Sequence, residues 1–304
     1  MKISSESIKK KALELGFQKI GIARAESTPK EKNNLDSWLY HKRHATMEWM
    51  KKRKNERGDI HTYFPEAKSI ISVGMNYHIG KGQDDIKSNY KFSKYAWGDD
   101  YHDVLKIRLI KLLNWIKEKE ENVKGVACVD TAPVMDKVWA QKAGLGWIGK
   151  NTNLISKDKG SWLFLGELIL DIELKYDLPF FEDLCGSCTE CIDECPTQAL
   201  EEYKIDAGKC ISYLTIEHRG ELPKSEKNLH GWIYGCDVCQ EVCPWNNKFS
   251  EISKQEEFQP RPEILYWTNE DWKNLDEDGF RKLFKSSAVK RTKYIGLKRN
   301  IISN

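Results

Sequence analysis

Apolar and polar residues are spaced with two different periods along residues 1–175. Helical spacing of the apolar positions predicts helices over residues 4–15, about 33–52, 100–119 and 133–142. Short apolar or β-branched runs predict strands over residues 17–23, 69–75, 123–130 and 162–174, the last as one long or two short strands. This alternation predicts an α+β fold whose first part is an α/β domain with a central sheet.

The helix over residues 100–119 is the longest amphipathic segment. Its predicted buried side carries the apolar residues Val104, Ile107, Leu109, Ile110, Leu113 and Ile116. Gly16 is predicted to end the first helix, and Pro133 to open the helix over residues 133–142.

The character of the sequence changes after Tyr176. Residues 177–250 carry most of the cysteines among turn residues, as is typical of a small module organised by metal. Residues 251–304 are polar, with a predicted helix over 269–283 and a basic tail from Lys290 to Arg299. We therefore expect three parts: residues 1–176, 177–250 and 251–304.

Composition and charge narrow the class of protein. The 304 residues are 40% hydrophobic and 31% charged with a net charge of +3, which fits a folded globular protein and not a disordered one. No apolar run approaches the ~18 residues needed to cross a bilayer, and the polar start of the chain lacks the apolar core of a signal peptide. We expect a cytoplasmic protein without membrane contact.

The cysteines carry the strongest chemical signal. Of nine cysteines, eight fall between Cys185 and Cys243, and clustered thiols in a reducing compartment point to metal. The first four, Cys185, Cys188, Cys191 and Cys195, have the spacing of the bacterial ferredoxin run, whose fourth cysteine binds the other of two clusters. The sequence therefore predicts a ferredoxin-like module with two 4Fe–4S clusters.

The second half of this pattern lacks one cysteine. Cys236, Cys239 and Cys243 repeat the end of the run, but Ile233 stands where another thiol would complete it, and Cys210 can replace that thiol. This gives two predicted ligand sets: Cys185, Cys188, Cys191 and Cys243 for one cluster, and Cys195, Cys210, Cys236 and Cys239 for the other. Two structural zinc sites are the alternative.

Two features of residues 1–175 are candidates for the site that the clusters serve. The glycines of Gly144–Gly149 follow a helical segment, so they indicate a turn, or a close approach to a planar cofactor, rather than a dinucleotide fingerprint. Asp130 stands at the end of a predicted strand, either as a helix N-cap or as a catalytic carboxyl. Cys128 is expected to be a small buried apolar residue.

Several segments together resemble the epoxyqueuosine reductases. They are Tyr95–His102, Asp130-Thr-Ala-Pro133, Gly144–Asn151, the ferredoxin run and Cys210–Glu217. The resemblance implies a short form, without C-terminal helical repeats, that reduces the epoxide of epoxyqueuosine in a tRNA anticodon to queuosine. It also implies base-off cobalamin, reduced to Co(I) by the clusters, and Asp130 as proton donor.

Further site residues follow from the resemblance alone. Alignment with the family suggests Arg53, Asp130, Leu154, Ser161 and Ser212 as cobalamin contacts, although each is also an ordinary core or surface residue type. Basic residues near 51–57 and 290–299 either meet tRNA phosphates or form a solvated face. We expect a monomer served by an unidentified electron donor.

Two other functions remain open at this point. A reductive dehalogenase would use the same cofactors on an organohalide, and a two-cluster electron carrier would have no catalytic site. The electron-carrier interpretation gives the α/β domain no function.

Overall fold

The computed structural model describes residues 3–223 and 228–304. Its strands are β1 (Lys19–Arg24), β2 (Ser69–Asn76), β3 (Lys91–Phe92), β4 (Gly125–Cys128), β5 (Trp147–Ile148), β6 (Leu154–Ile155), β7 (Leu163–Leu170), β8 (Leu200–Glu201), β9 (Lys204–Ile205) and β10 (Trp232–Tyr234).

Helices surround these strands. They are α1 (Ser5–Glu14), α2 (Pro29–Tyr40), α3 (Glu48–Lys52), α4 (Lys54–Gly58), α5 (Ile60–Tyr63), α6 (Tyr101–Lys117), α7 (Asp136–Lys142), α8 (Glu190–Asp193), α9 (Ile211–Ile216), α10 (Val238–Glu241), α11 (Pro244–Phe249), α12 (Pro262–Tyr266), α13 (Asn269–Asn274), α14 (Glu277–Leu283) and α15 (Lys293–Ile302). No helix in the described part is long and apolar enough to cross a bilayer.

A four-stranded sheet in the order β1-β2-β7-β4 forms the centre of the first part. Every neighbouring pair is antiparallel, and all residues of β2 are buried. One face of the sheet packs against α1 and α6, and the other face packs against α7. The central sheet expected from the sequence is confirmed.

A second hydrophobic core joins distant parts of the chain. It contains large aromatic residues from β3, from α13 and from the C-cap of α14, namely Phe92, Trp272 and Phe284. Leu297 and Ile301 of α15 belong to the same core, together with Ile233 and Tyr234 of β10. The C-terminal helices are therefore packed against two earlier segments of the chain, those that contain β3 and β10.

Two predicted helices are interrupted. The helix expected over residues 33–52 is divided into α2 and α3, because Lys42 and Ala45 take positive φ angles of 56° and 51° that no α-helix contains. The helix expected over 269–283 is divided into α13 and α14, because Asp276 leaves the helical conformation to cap α14 through the Gly279 N–H.

Two other helical predictions also need correction. In α6 the buried side carries Leu105, Leu109, Leu112, Leu113 and Ile116, whereas Ile107 and Ile110 are 54% and 42% exposed. The helix expected to open at Pro133 begins at Asp136, since the preceding residues form the loop that carries Asp130. Its N-cap position is Met135, so the N-cap interpretation of Asp130 is wrong.

Candidate active site

A cavity of about 640 Å³ opens above the end of β7 nearest the loop before α7. Aromatic side chains form much of its wall: Trp49, Tyr77, Tyr95, Tyr101 and Phe164. Its polar lining comes from Arg57, Asp130, Asp136, Lys137, Asn153, Ser161, Ser212 and Gln240. This mixture of apolar walls and few polar groups is typical of ligand and cofactor sites.

Asp130 presents its carboxylate to this cavity. Its φ of 45° lies in the left-handed region, a conformation that is costly for a residue with a side chain and that is concentrated at functional sites. The Tyr101 hydroxyl donates to Oδ2 of Asp130 over 2.6 Å, and Nε2 of His102 lies 3.2 Å from the same oxygen. The side chain is nevertheless 61% exposed, so it remains open to a bound molecule.

His102 links Asp130 to a second acid. Its Nδ1 lies 2.7 Å from Oδ1 of Asp100, whose Oδ2 accepts from Lys290 over 2.9 Å. Burial lowers the pKa of His102, but the two flanking carboxylates outweigh burial and raise this pKa to about 9. The imidazole is therefore protonated at neutral pH in the absence of a ligand.

The same contacts decide the charge of Asp130. Desolvation by the surrounding protein raises the pKa of this carboxyl, but hydrogen bonds from His102 and Tyr101 outweigh this effect and lower the pKa below its usual value. The resting site thus holds a carboxylate beside an imidazolium, with the mobile proton on His102.

The thiols form two groups in space. Cys185, Cys188, Cys191 and Cys243 line a small cavity of about 100 Å³ and form what we term the distal cysteine group. Trp147 Nε1 lies 3.4 Å from Sγ of Cys185. Burial and the neighbouring thiols raise the pKa of Cys191 to about 11, so a cationic iron centre would be needed to hold the side chain of Cys191 as a thiolate.

The proximal cysteine group consists of Cys195, Cys210, Cys236 and Cys239, whose thiols face one another. Burial is the main reason why the pKa of the Cys239 thiol is raised. Cys239 also faces Lys137 and Tyr77, two residues of the large cavity. Cys191 of the distal group is near enough to Cys239 to raise the pKa of the Cys239 thiol. The proximal group therefore lies between the cavity and the distal group.

No three His, Cys, Asp or Glu side chains in residues 3–223 and 228–304 converge closely enough to bind one metal ion. A tetrahedral zinc ion needs four ligand atoms around a single centre, whereas the thiols of a cubane surround a larger cluster. Each of the two groups offers the four thiols that one 4Fe–4S cluster takes.

Most of the candidate cofactor residues meet at the cavity. Asp130, Leu154, Ser161 and Ser212 line it, whereas Arg53 does not and Arg57 does. The Ser161 hydroxyl donates to Gln240 Oε1 over 2.9 Å and accepts from the Asn246 amide. The cavity therefore has hydroxyl and amide groups at the end nearest the proximal group.

Tyr101, His102 and Lys137 are functional candidates that the sequence pattern did not single out. Tyr101 and His102 belong to the Tyr95–His102 segment that carried the family resemblance, so a signal was present. Nothing in their spacing indicated contact with Asp130, which lies 28 residues after His102.

The glycines of residues 144–149 serve backbone packing. A Cβ on Gly144 would lie 2.6 Å from the Leu178 carbonyl oxygen, and one on Gly146 would lie 2.0 Å from that of Ile155. These contacts are with the chain itself, so close backbone packing accounts for the glycine at both positions. Cys128 is fully buried, as expected.

The basic segment 290–299 is largely engaged within the molecule. Lys290 pairs with Asp100, and Arg291 makes two hydrogen bonds to Glu217. Arg299 donates to the carbonyl groups of Leu214, His218 and Gly220. The expected tail is thus a packed helix whose cations hold the fold together.

Two paired thiol groups beside a cavity with an acid–imidazole pair define an iron–sulfur oxidoreductase. Residues 184–246 match the family model described as 4Fe-4S double cluster binding domain. Residues 57–131 match the model Epoxyqueuosine reductase QueG, DUF1730.

Full-length comparisons identify the family. The chain is 47% identical to the epoxyqueuosine reductase of Cellulophaga algicola, over 98% of this chain and 96% of the relative. It is 46% identical to that of Leadbetterella byssophila, over 99% and 98% of the two chains. The chain belongs to the epoxyqueuosine reductase family.

A solved structure of a relative matches the whole fold. It is a crystal structure of epoxyqueuosine reductase with an epoxyqueuosine-modified tRNA-Tyr stem loop. The two chains share 29% identity with a TM-score of 0.89, over 98% of this chain and 80% of that one. The α+β fold with a two-cluster module is thereby confirmed.

Proposed function

We propose that this protein reduces the epoxide of epoxyqueuosine in a tRNA anticodon to the alkene of queuosine, in the cytoplasm. The observation that carries the proposal is the Asp130 carboxylate, held by Tyr101 and His102 at a cavity that adjoins the proximal cysteine group. The reaction adds two electrons and two protons, breaks both C–O bonds of the epoxide, and releases water. The site needs both an electron source and an acid.

The two cysteine groups are suited to bind the clusters that would supply the electrons. Each group has the four thiolates that a 4Fe–4S cluster requires. The distal group has a cavity of its own, while Cys239 of the proximal group faces the large cavity. Electrons from an unidentified donor would enter at the distal cluster and leave from the proximal one.

The lining of the large cavity fits cobalamin. Aromatic and aliphatic walls match the flat faces of a corrin ring, and the hydroxyl and amide groups of Ser161, Ser212, Asn153 and Gln240 match its amide arms. Bound cobalamin would supply a strongly reducing nucleophilic metal, and the protein orients it and provides protons.

Asp130 and His102 are suited to act as the acid that the reaction needs. As negative charge develops on the epoxide oxygen, Asp130 would pass to it a proton that the His102 imidazolium supplies over the 3.2 Å contact. Tyr101 fixes the carboxylate during this transfer.

The direct test is anaerobic conversion of epoxyqueuosine-tRNA to queuosine-tRNA by the purified protein with cobalamin and a chemical reductant. Conversion is expected with cobalamin and not without it. Turnover of an organohalide in place of the modified tRNA would instead favour a reductive dehalogenase.

The metal content gives a separate prediction. Protein purified without oxygen should contain close to eight iron and eight acid-labile sulfide per chain, because two cubane clusters need that number. Stoichiometric zinc without sulfide would overturn the assignment of both cysteine groups.

A further inference from the structure

A pair of buried carboxyl groups lies behind the active-site loop. Glu167 is fully buried in the middle of β7, directly opposite Ser72 of β2 and Cys128 of β4. Asp136, at the start of α7, packs against Glu167 from the side of the sheet that faces this helix and also lines the large cavity. The pair thus connects the interior of the sheet with the site.

The hydrogen bonds of this pair require a proton. The Ser72 hydroxyl donates to Oε1 of Glu167 over 3.1 Å. Oε2 of Glu167 and Oδ1 of Asp136 are buried, and neither has an N–H or hydroxyl partner in the described part of the chain. The carboxyl groups of Glu167 and Asp136 face each other with these two buried oxygens unpaired, and they can hydrogen-bond to each other only when one of them is protonated.

Glu167 is the group that holds this proton. Burial, and then the charge of Asp136, raises the pKa of Glu167 well above its ordinary value. Burial also raises the pKa of Asp136, while N–H groups of the backbone at Asp130 and Asp136 stabilise its carboxylate. The other ionisable groups that face the pair are Arg57, Tyr101, Cys128, Asp130 and Lys137.

We infer that Glu167 and Asp136 form an internal proton store that supplies the second of the two protons consumed at the cavity. This inference rests on the proposed function. Reduction of the epoxide uses two protons, and His102 beside Asp130 accounts for one. The O–H bond of Glu167 breaks as a proton moves to Asp136, and Asp136 passes a proton to the Asp130 carboxylate.

Asp130 then gives this proton to the departing oxygen, which leaves as water. Two negative charges remain on the buried pair, and their repulsion favours uptake of a proton from the cavity after the product has left. The store is thus refilled from solvent through Asp136, the member of the pair that lines the cavity.

Glu167→Gln separates a proton store from a purely structural contact. The amide keeps the size of the side chain, accepts from Ser72 and donates to Asp136, but it has no acidic proton. Glu66→Gln is a matched control, since it makes the same change at a side chain that is 52% exposed and paired with Lys124.

The first measurement needs no cofactor. Because the unfolded chain releases the Glu167 proton near its ordinary pKa and the folded chain keeps it, the parent protein loses stability as pH rises from about 4.3 towards the raised pKa. The melting temperature of Glu167→Gln should therefore rise relative to the parent with increasing pH, and the infrared band of a protonated carboxyl should disappear. A pH-independent difference, or no such band in the parent, would overturn the shared proton.

The second measurement is single-turnover reduction of epoxyqueuosine-tRNA. Glu167→Gln should slow the reaction at least ~10-fold, less than the loss of a direct general acid, and make its rate fall more steeply as pH rises. Glu66→Gln should match the parent. Unchanged kinetics in Glu167→Gln would show that the pair is only a structural contact and would overturn the inference. An inactive parent protein with both clusters and cobalamin bound would instead overturn the proposed function.

Discussion

At the scale of single residues, Asp130 is the side chain on which the proposed chemistry depends most. Asp130→Asn should fold, bind both clusters and bind cobalamin, because Asn is nearly isosteric and tolerates positive φ. Turnover of the epoxide should fall by ~10²–10⁴-fold, since Asn has no proton to give. Rapid-quench assays on parent and variant proteins with matched iron content would measure the turnover rate. Turnover close to that of the parent would show that Asp130 is not the acid.

His102 gives a prediction about pH and stability. Its pKa rises from an ordinary value of 6.5 to about 9 on folding, so its ion pairs stabilise the protein below pH 6.5. That contribution is lost as pH rises through about 9. Melting curves across this range should show a smaller loss of stability for His102→Gln than for the parent protein. Parallel curves would mean that His102 is neutral in the folded state.

The sequence carried part of this arrangement. A carboxylate at the end of a strand was visible as Asp130, and the family resemblance gave it a role. Its partners were not predictable, because Tyr101 and His102 reach Asp130 only when α6 packs on β4. Glu167 is an acidic residue within the mainly apolar run 162–174, and only the sheet register places it beside Ser72 and Cys128.

At the scale of secondary-structure elements, α9 is short but begins at the ligand position that the ferredoxin pattern lacks. Cys210 occupies its N-cap position and turns its thiol towards Cys195 and Cys236. Cys210→Ser should therefore damage the proximal cluster and leave the distal one intact, because Ile233 offers no ligand. Iron analysis with electron paramagnetic resonance would count the clusters.

Cys128→Ser is the matched control for this experiment. Cys128 is buried and lies in β4, with its Sγ 3.9 Å from the Tyr63 hydroxyl. Its replacement should leave both clusters unchanged. Two intact clusters in Cys210→Ser would show that another group completes the proximal site.

Elements were predictable where the local pattern and the tertiary packing agree. The run Ser69–Met75 consists mainly of apolar residues with two serines and one glycine, and it forms part of β2, whose residues are all buried. The break between α2 and α3 was not predictable, because Lys42 and Ala45 adopt positive φ without a glycine or asparagine to signal it. Tertiary contacts near Arg43, such as its carbonyl with the Ala207 N–H, stabilise that turn.

At the scale of the whole molecule, the question is where a tRNA would lie. Lys51 and Lys52 are exposed at the end of α3, next to Trp49 and Met50 of the cavity wall, and make no ion pair in the described part of the chain. Lys51→Ala with Lys52→Ala should weaken tRNA binding and lower its salt slope by about one unit for each phosphate that the variant no longer binds.

Binding measured over a series of salt concentrations would decide this. Lys124→Ala is a suitable control, because Lys124 is an exposed lysine paired with Glu66 on another element. Equal slopes for both variants and the parent would place the tRNA elsewhere. Removal of Arg291 or Arg299 would be a poor test, since their internal hydrogen bonds stabilise the fold.

The packing of α15 has a consequence for the order in which the protein matures. The Asn300 amide donates to the carbonyls of Thr215 and Ile233, and so ties together the segments that present Cys210 and Cys236. Asn300 is translated 85 residues after Thr215, a delay of ~4–17 s at usual rates of synthesis. During that interval the proximal thiols lack their final support. Delivery of the proximal cluster is therefore expected to follow synthesis of this region and not to accompany it.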